Sequence, residues 1–344
     1  MSKLWFIRFV LLPFSWIYGI VLTVRNLCFD FGIFKVTKFN VTIVAIGNLT
    51  VGGTGKTPHV KWFVNHFKKE KQCAIVLRGY GRKTKGFHLV QASSSHADVG
   101  DEALLYFNHF GEQIKIAVCE DRVEGVRQLL ALFPNIELIF LDDAYQHRKI
   151  HRDVNILLTD FYRPFWKDFV LPAGRLREFR LGKNRADIII VTKSPQEISN
   201  EERIKIVRKI NASNQQLVTF SKVNYGEIIP LFSEEWKEVN HVLLVTGIAY
   251  PKPLEVYLSQ KYTVKSLTFS DHYDFTTTDI QQIHDIFDTF VKEDKAIITT
   301  EKDRMRLKEK LASLELTHTP WFYQSISVVI EDEKTCLERI ENIC

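Results

Sequence analysis

Two rhythms of apolar and polar positions alternate along this chain. Runs that are apolar almost throughout occupy 41–46, 73–77, 114–118, 137–141, 154–158 and 187–192. Between them, near 58–67, 101–110 and 122–133, apolar residues recur at helical spacing. A strand without a polar side must be covered on both faces. The alternation therefore predicts an α/β fold, a parallel sheet flanked by helices. Ser194-Pro195 closes this block, and a charged helix at 201–209 and a weakly patterned stretch at 213–240 follow. The series then restarts, with strands at 241–246, 262–267 and 296–300 and helices near 253–259 and 277–291. Two α/β units are expected: a core over 31–225 and a smaller unit over 226–344 that closes a cleft against it.

The first strand runs into Gly47-Asn48-Leu49-Thr50-Val51-Gly52-Gly53-Thr54-Gly55-Lys56-Thr57-Pro58, and a helical segment follows. Strand, glycine-rich loop and a helix opening on Gly-Lys-Thr form the context of a phosphate-binding P-loop, so the core is expected to be a P-loop NTPase sheet. Glycines let successive N–H groups turn towards phosphate oxygens, and the helix N-terminus adds partial positive charge. The expected nucleotide contacts are Thr50, Val51, Gly52, Gly53, Thr54, Gly55, Lys56 and Thr57. Lys56 would neutralise the β- and γ-phosphates, and the Thr57 hydroxyl would hold Mg²⁺. Thr50 stands where the usual pattern has glycine. A glycine-rich turn with an incidental lysine is the plainer alternative, and the flanking strand and helix argue against it. The expected ligand is a nucleoside triphosphate.

Composition adds bounds. The chain has 344 residues, 45% hydrophobic and 25% charged, as in a globular protein. A net charge of +5 is too small and dispersed to argue for nucleic acid. Cys28, Cys73, Cys119, Cys336 and Cys344 are scattered, with no C-x-x-C pair, and read as reduced thiols in a cytosolic compartment.

The N-terminus is less ordinary. Residues 4–22 carry one charge, Arg8, and are rich in Trp, Phe and Leu. As a helix they reach about 28 Å, close to the hydrocarbon thickness of a bilayer. Arg8 and Pro13 both count against a clean span. At about 100° per residue, Lys3, Arg8, Ser15, Tyr18 and Arg25 fall within an arc of roughly 140°. Such a helix suits a membrane interface, with Lys35 and Lys38 towards anionic headgroups. A true span and a buried core helix are the alternatives. Residues 1–30 are thus the expected membrane-associating segment, remote from the phosphates.

Several polar groups sit at predicted strand ends, where open α/β sheets bind ligands. The strand ending in Asp142-Asp143 has the Walker-B arrangement for an acid that holds Mg²⁺ directly or through water. Alone, such a pair would more often be a turn or helix cap. Gln146-His147-Arg148 brings His147 close by. In Arg78-Gly79-Tyr80-Gly81-Arg82, two arginines on glycine hinges suit an anionic substrate group, although a surface hairpin would read the same. Leu171-Pro172-Ala173-Gly174-Arg175-Leu176-Arg177-Glu178 is either a charged site loop or a solvated connector. Asp271-His272-Tyr273-Asp274 precedes a helix start that Asp274 or Thr276 would cap, leaving His272 for chemistry or simply exposed.

Taken together, these residues resemble the tetraacyldisaccharide 4′-kinases, the lipid A 4′-kinases. The loop from Gly47 to Pro58, with Thr50 at the usual glycine position, looks like that family's signature. Counterparts of Arg78-Gly79-Tyr80, Gly100-Asp101-Glu102, Glu120-Asp121-Arg122, Asp142-Asp143, Gln146-His147, Leu171-Pro172-Ala173-Gly174, Leu176-Arg177-Glu178, Asp271-His272 and Thr300-Glu301-Lys302-Asp303 follow in order. The matches cover about 44–303, and their ordered combination is far more specific than any one of them. Ala144-Tyr145 departs from the Gly-Phe more usual there.

The resemblance implies transfer of the ATP γ-phosphate to the 4′-hydroxyl of a tetraacylated glucosamine disaccharide 1-phosphate. It implies Asp101 and His272 as a catalytic pair, acting with Lys56. Thr57, Asp142, Asp143 and Glu178 are the implied metal-side residues, Asp142 also organising Lys56 and Thr57. Asn48, Arg78, Tyr80, Arg122, His147 and Arg177 are the implied substrate contacts. ATP and Mg²⁺ are the implied cofactors. The implied partners are a lipid substrate and a membrane surface at the cytoplasmic face of the bacterial inner membrane, with no nucleic acid and no protein partner. Two other readings stay open. Thr192-Lys193-Ser194-Pro195 resembles a guanine-reading element of P-loop GTPases or metallochaperone-type NTPases, but Pro195 replaces its aspartate. A non-catalytic, nucleotide-gated membrane adaptor is the second.

Overall fold

The computed structural model describes residues 3–233, 235–271, 273–290 and 294–343, with side-chain surroundings from residue 7 onward. The strands are β1 (Thr42–Asn48), β2 (Cys73–Leu77), β3 (His88–Leu89), β4 (Lys115–Val118), β5 (Leu138–Asp142), β6 (Val154–Asp160), β7 (Ile188–Thr192), β8 (Leu217–Pro230), β9 (His241–Thr246), β10 (Thr263–Thr268), β11 (Lys295–Thr300) and β12 (Trp321–Ile330). They form one sheet in the order β10-β9-β11-β12-β8-β7-β6-β1-β5-β2-β4-β3.

Apolar side chains alternate across this sheet and bury on both faces. On β1, Val44 and Ile46 pack with Phe63 and Val64 of the helix Lys56–Phe67. Ile43 and Ala45 pack with Val126 and Leu129 of the helix Arg122–Leu132 on the other side. The pattern repeats in β9, where Leu243 and Val245 meet Ile280, Ile283 and Leu307, and Val242 and Leu244 meet Leu254 and Leu258. Two helical layers around a mainly parallel sheet follow from strands with no polar face.

β8 joins the halves. Its start runs parallel to β7, and from Ser221 onward it runs antiparallel to β12. Position 225 lies inside β8, so the sheet is continuous across the boundary drawn from the sequence. Beyond Ser221 this strand carries half-buried and exposed residues, Lys222, Val223, Asn224 and Tyr225, in place of an all-apolar run, so it did not stand out at 213–240. β12 and the helices Arg304–Ser313 and Glu333–Glu341 also went unmarked.

The N-terminal helix spans Lys3–Asp30 with Pro13 inside it. Phe9, Phe14, Trp16, Ile17 and Val21 are exposed, and only 11% of its most apolar stretch is buried, so it is not a core helix. Its small and polar side docks on the protein. Buried Ser15 accepts a 2.9 Å hydrogen bond from the Ala173 N–H. A Cβ at Gly19 would lie 2.4 Å from the Phe179 ring. Of the arc read from the sequence, Ser15 is buried and Arg25 half-buried against the protein, Tyr18 is exposed beside the rest of the fold and Arg8 is exposed, so the arc does not face headgroups as a unit.

Candidate active site

The turn after β1 is built as a cradle. Gly52 (φ +96°) and Gly55 (φ +83°) occupy the left-handed region that a side chain makes costly. Gly55 opens the helix Lys56–Phe67 with no side-chain cap, leaving its first N–H groups for an anion. Asn48 is buried beneath the loop, where its amide donates to Thr54 Oγ1 at 2.7 Å and to the Gly52 carbonyl at 3.4 Å. Thr50 pairs with Leu176, and the Val51 N–H donates to the Arg175 carbonyl at 2.8 Å. The loop is thereby fastened to the segment carrying Arg177 and Glu178. On its far side, Thr192 Oγ1 donates to the Thr54 carbonyl at 2.9 Å, and Lys193 Nζ donates to the Gly53 carbonyl.

The two carboxylates ending β5 differ in surroundings. Asp142 is buried and accepts from the Tyr106 hydroxyl at 2.9 Å, and that hydroxyl also bonds Thr57. Its other oxygen, Oδ1, is buried with no hydrogen-bond partner among the described residues. Burial, helped by the Glu102 charge, lifts the Asp142 pKa to about 7. Asp143, at φ +48°, takes both arms of Arg177 at 2.9 and 3.0 Å and lies 3.5 Å from Lys56. Burial opposes ionisation there, but Lys56 and Arg177 outweigh it and hold the pKa below the ordinary value. A carboxylate with one oxygen tied through Tyr106 to Thr57 and the other left without a partner among the described residues fits a hard cation such as Mg²⁺, which takes one or two protein oxygens beside phosphate and water.

Glu178 is more fully engaged. Its oxygens accept from Asn26 at 2.9 Å, Gln146 at 3.0 Å and Arg185 at 2.7 Å. Arg122 is buried and donates to the carbonyls of Cys119 and Asp142 at 2.9 and 3.2 Å. Burial lowers its pKa to about 10. His147 Nε2 accepts from the Arg122 N–H at 3.2 Å, and burial holds its pKa at about 4, so the ring is neutral. Arg82 is paired with Glu120 at 2.7 Å, whereas Arg78 and Tyr80 stay exposed beside the same opening. Arg78 has no ion pair among the described residues.

Asp101 starts the helix Asp101–Phe110, buried at the seam between the halves. Its carboxylate meets His96 Nε2 and, at 3.3 Å, Arg306 Nη1. His272 lies outside the described residues, while its neighbour Asp271 lines the opening and lies 3.6 Å from Lys302.

One cavity of about 1070 Å³ gathers most of these groups; Asp101 is not part of its lining, but its neighbour Glu102 is. The P-loop, Arg78, Tyr80, Asp142, Asp143, Arg177 and Glu178 wall one side. Ala249, Tyr250, Glu301 and Lys302 come from the second half, and Tyr18, Leu22, Arg25 and Asn26 from the N-terminal helix. The ion pair Lys61–Glu301, at 2.7 Å, closes the seam.

The family described as tetraacyldisaccharide-1-P 4′-kinase (LpxK) matches residues 7–344. The chain belongs to that family. Tetraacyldisaccharide 4′-kinase of Cytophaga hutchinsonii is 40% identical over 98% of this chain and 95% of its own. That of Parabacteroides distasonis is 43% identical over 91% and 86%. The crystal structure of LpxK from Aquifex aeolicus in complex with ATP superposes with a TM-score of 0.75 at 28% identity, over 98% of this chain and 99% of that one. The fold is that of the kinase, and a GTPase or metallochaperone reading is not favoured.

A tetraacyldisaccharide 4′-kinase chain read by motif alone leaves out several residues that build this site. His59 is buried, with Nδ1 2.7 Å from the Gly55 carbonyl and Nε2 2.8 Å from Ser221 Oγ. It follows Gly-Lys-Thr-Pro directly, and a polar residue on the buried face of that helix was the available signal. Tyr106 and Arg306 carried none, since each looks like an ordinary helical residue until its partner is known.

Proposed function

We propose that this chain transfers the γ-phosphate of ATP to the 4′-hydroxyl of a tetraacylated glucosamine disaccharide 1-phosphate, a step of lipid A biosynthesis. The observation that carries the reading is the shared cavity, where a P-loop, two strand-end carboxylates and the apolar-faced N-terminal helix meet. A soluble nucleotide and a lipid acceptor need just such a meeting point.

In this reading the P-loop N–H groups and Lys56 hold the triphosphate. Thr57 and Asp142 would hold Mg²⁺, with Asp143 and Glu178 beside it, and the cation would neutralise charge on the phosphates. Asp143 keeps Lys56 and Arg177 in place. Glu178 ties Gln146 and Asn26 together and so orders the cavity wall. Arg78, Tyr80 and Arg177 present cations and a hydroxyl to an anionic acceptor, while Asn48, Arg122 and His147 support the loops from behind. Asp101, oriented with His272, takes the proton of the attacking hydroxyl. The outward apolar face of the helix lies on the cytoplasmic leaflet of the inner membrane and brings the acyl chains to the cavity. Residues 31–225 and 226–344 act as the two units that close on the substrates, hinged about β8.

Purified protein, Mg·ATP or Mg·GTP, and the lipid disaccharide, with product mass spectrometry, test this. One added phosphate on the lipid, dependent on ATP, is the expected result. Hydrolysis without transfer, or preference for GTP, would overturn it.

A further inference from the structure

Arg306 sits where the two halves meet and touches a carboxylate from each. Nη1 lies 3.3 Å from Asp101 Oδ2, and Nη2 donates to Asp303 Oδ1 at 2.9 Å. All three side chains are buried, with 6%, 7% and 0% exposure for Arg306, Asp101 and Asp303. Asp303 is itself pinned, because its Oδ2 accepts from the Gly247 N–H at 2.9 Å and from Thr300 Oγ1 at 2.7 Å. Gly247 directly follows β9, and Thr300 is the last residue of β11. A continuous chain of charge and hydrogen bonds therefore runs from the second sheet half to the start of the helix Asp101–Phe110.

We propose that Arg306 is the positioning residue for Asp101, a two-armed bridge that fixes the carboxylate against the second half and keeps it ionised. A planar guanidinium suits this better than an ammonium, since its arms engage two carboxylates in a fixed geometry. The inference rests on the reading of Asp101 as the proton acceptor. A base carried on one half must be aimed at an acceptor held between both, and this bridge transmits the placement of the second half to it.

The other charged groups around Asp101 are His96, Glu102 next in the chain, Asp303 behind Arg306, and Glu309 near His96. Among the described residues, His96 and Arg306 are its cationic partners. Loss of either removes an opposite charge that favours the ionised carboxylate.

The test is steady-state kinetics of full-length protein with Mg·ATP and the lipid disaccharide, over a pH series. Arg306→Gln is expected to lower kcat roughly 10–100-fold, leave KM for ATP within about twofold, and move the acid limb of kcat/KM up by about one unit or more. Arg306→Lys keeps the charge without the fork, so its acid limb should stay near wild type while kcat falls. A lower kcat with an unmoved acid limb in Arg306→Gln would overturn the proposal. Should that variant not fold, wild-type kcat in Arg306→Lys would overturn it equally. Asp101→Asn separates the two levels: if it keeps wild-type kcat, the reading of Asp101 fails, whereas inactive Asp101→Asn beside an unmoved Arg306→Gln limb fails the bridge alone.

Discussion

Asn26 of the N-terminal helix donates a 2.9 Å hydrogen bond to Glu178, a buried carboxylate of the cavity wall 152 residues away. Arg148 clasps the same helix end, through the Asn26 carbonyl at 2.8 Å and Asp30 at 2.6 Å. The helix that reads as a remote anchor in the sequence is thus part of the cavity. Its docked side is polar because it meets site loops, and its apolar side is exposed.

Asn26→Ala is therefore expected to act on chemistry as well as on docking. It leaves a Glu178 oxygen without its donor, at a cost of about 1–3 kcal/mol. Membrane partition should hold, since the exposed apolar residues are untouched. A lower kcat with a short-chain soluble acceptor, at unchanged partition in vesicle flotation, is the expected pair of results. Unchanged kcat would return the helix to a pure anchor.

Deleting residues 1–25 should separate differently. Protein is expected to leave the membrane fraction, and KM for the lipid to rise. Because Tyr18, Leu22 and Arg25 line the cavity, turnover of a soluble acceptor should fall too. Fractionation and kinetics on the same preparation decide this.

Lys56→Ala and Thr57→Ala are each expected to cut kcat by roughly 10²–10³-fold or more, because both are proposed to act on the triphosphate and its cation. Both residues sit at a helix start outside the apolar core, so the circular dichroism melt should be little changed. Near-normal turnover in either would remove the P-loop assignment.

Arg78→Ala tests the acceptor side. An exposed arginine with no ion pair among the described residues is available for an anionic group. Its loss should raise KM for the lipid by roughly 10–100-fold, the worth of a hydrogen bond between charged groups, with little effect on ATP binding. Isothermal titration with ATP beside lipid-dependent kinetics reads both terms.

His59 gives a pH signature. Burial lowers its pKa from 6.5 to about 4, so the unfolded chain takes up a proton that the folded one resists. The stability it contributes is whole above about pH 6.5 and is lost as pH falls towards 4. His59→Gln, which cannot titrate, should show its largest urea-midpoint deficit near pH 7–8, narrowing towards pH 4–5. It should also weaken ATP binding, since the imidazole joins Gly55 of the P-loop to Ser221 of β8. A deficit independent of pH would mean that the ring is not neutral and buried in solution.

What the sequence determined by itself is what local order encodes. Apolar runs such as 73–77 and 241–246 became strands with the same bounds, since a short β-branched run without a polar face is well placed inside a sheet covered on both sides. The P-loop was legible because its glycines, Lys56 and Thr57 are contiguous. β8 was not, because half of it is a polar-faced strand whose pairing with β12 depends on residues a hundred positions later. The same holds for the partners of the site. Asn26 with Glu178, His59 with Ser221 and Arg306 with Asp101 are 152, 162 and 205 positions apart, so no local pattern relates them. Buried polar groups must find partners, but which ones is decided by the sheet order that brings distant strand ends together.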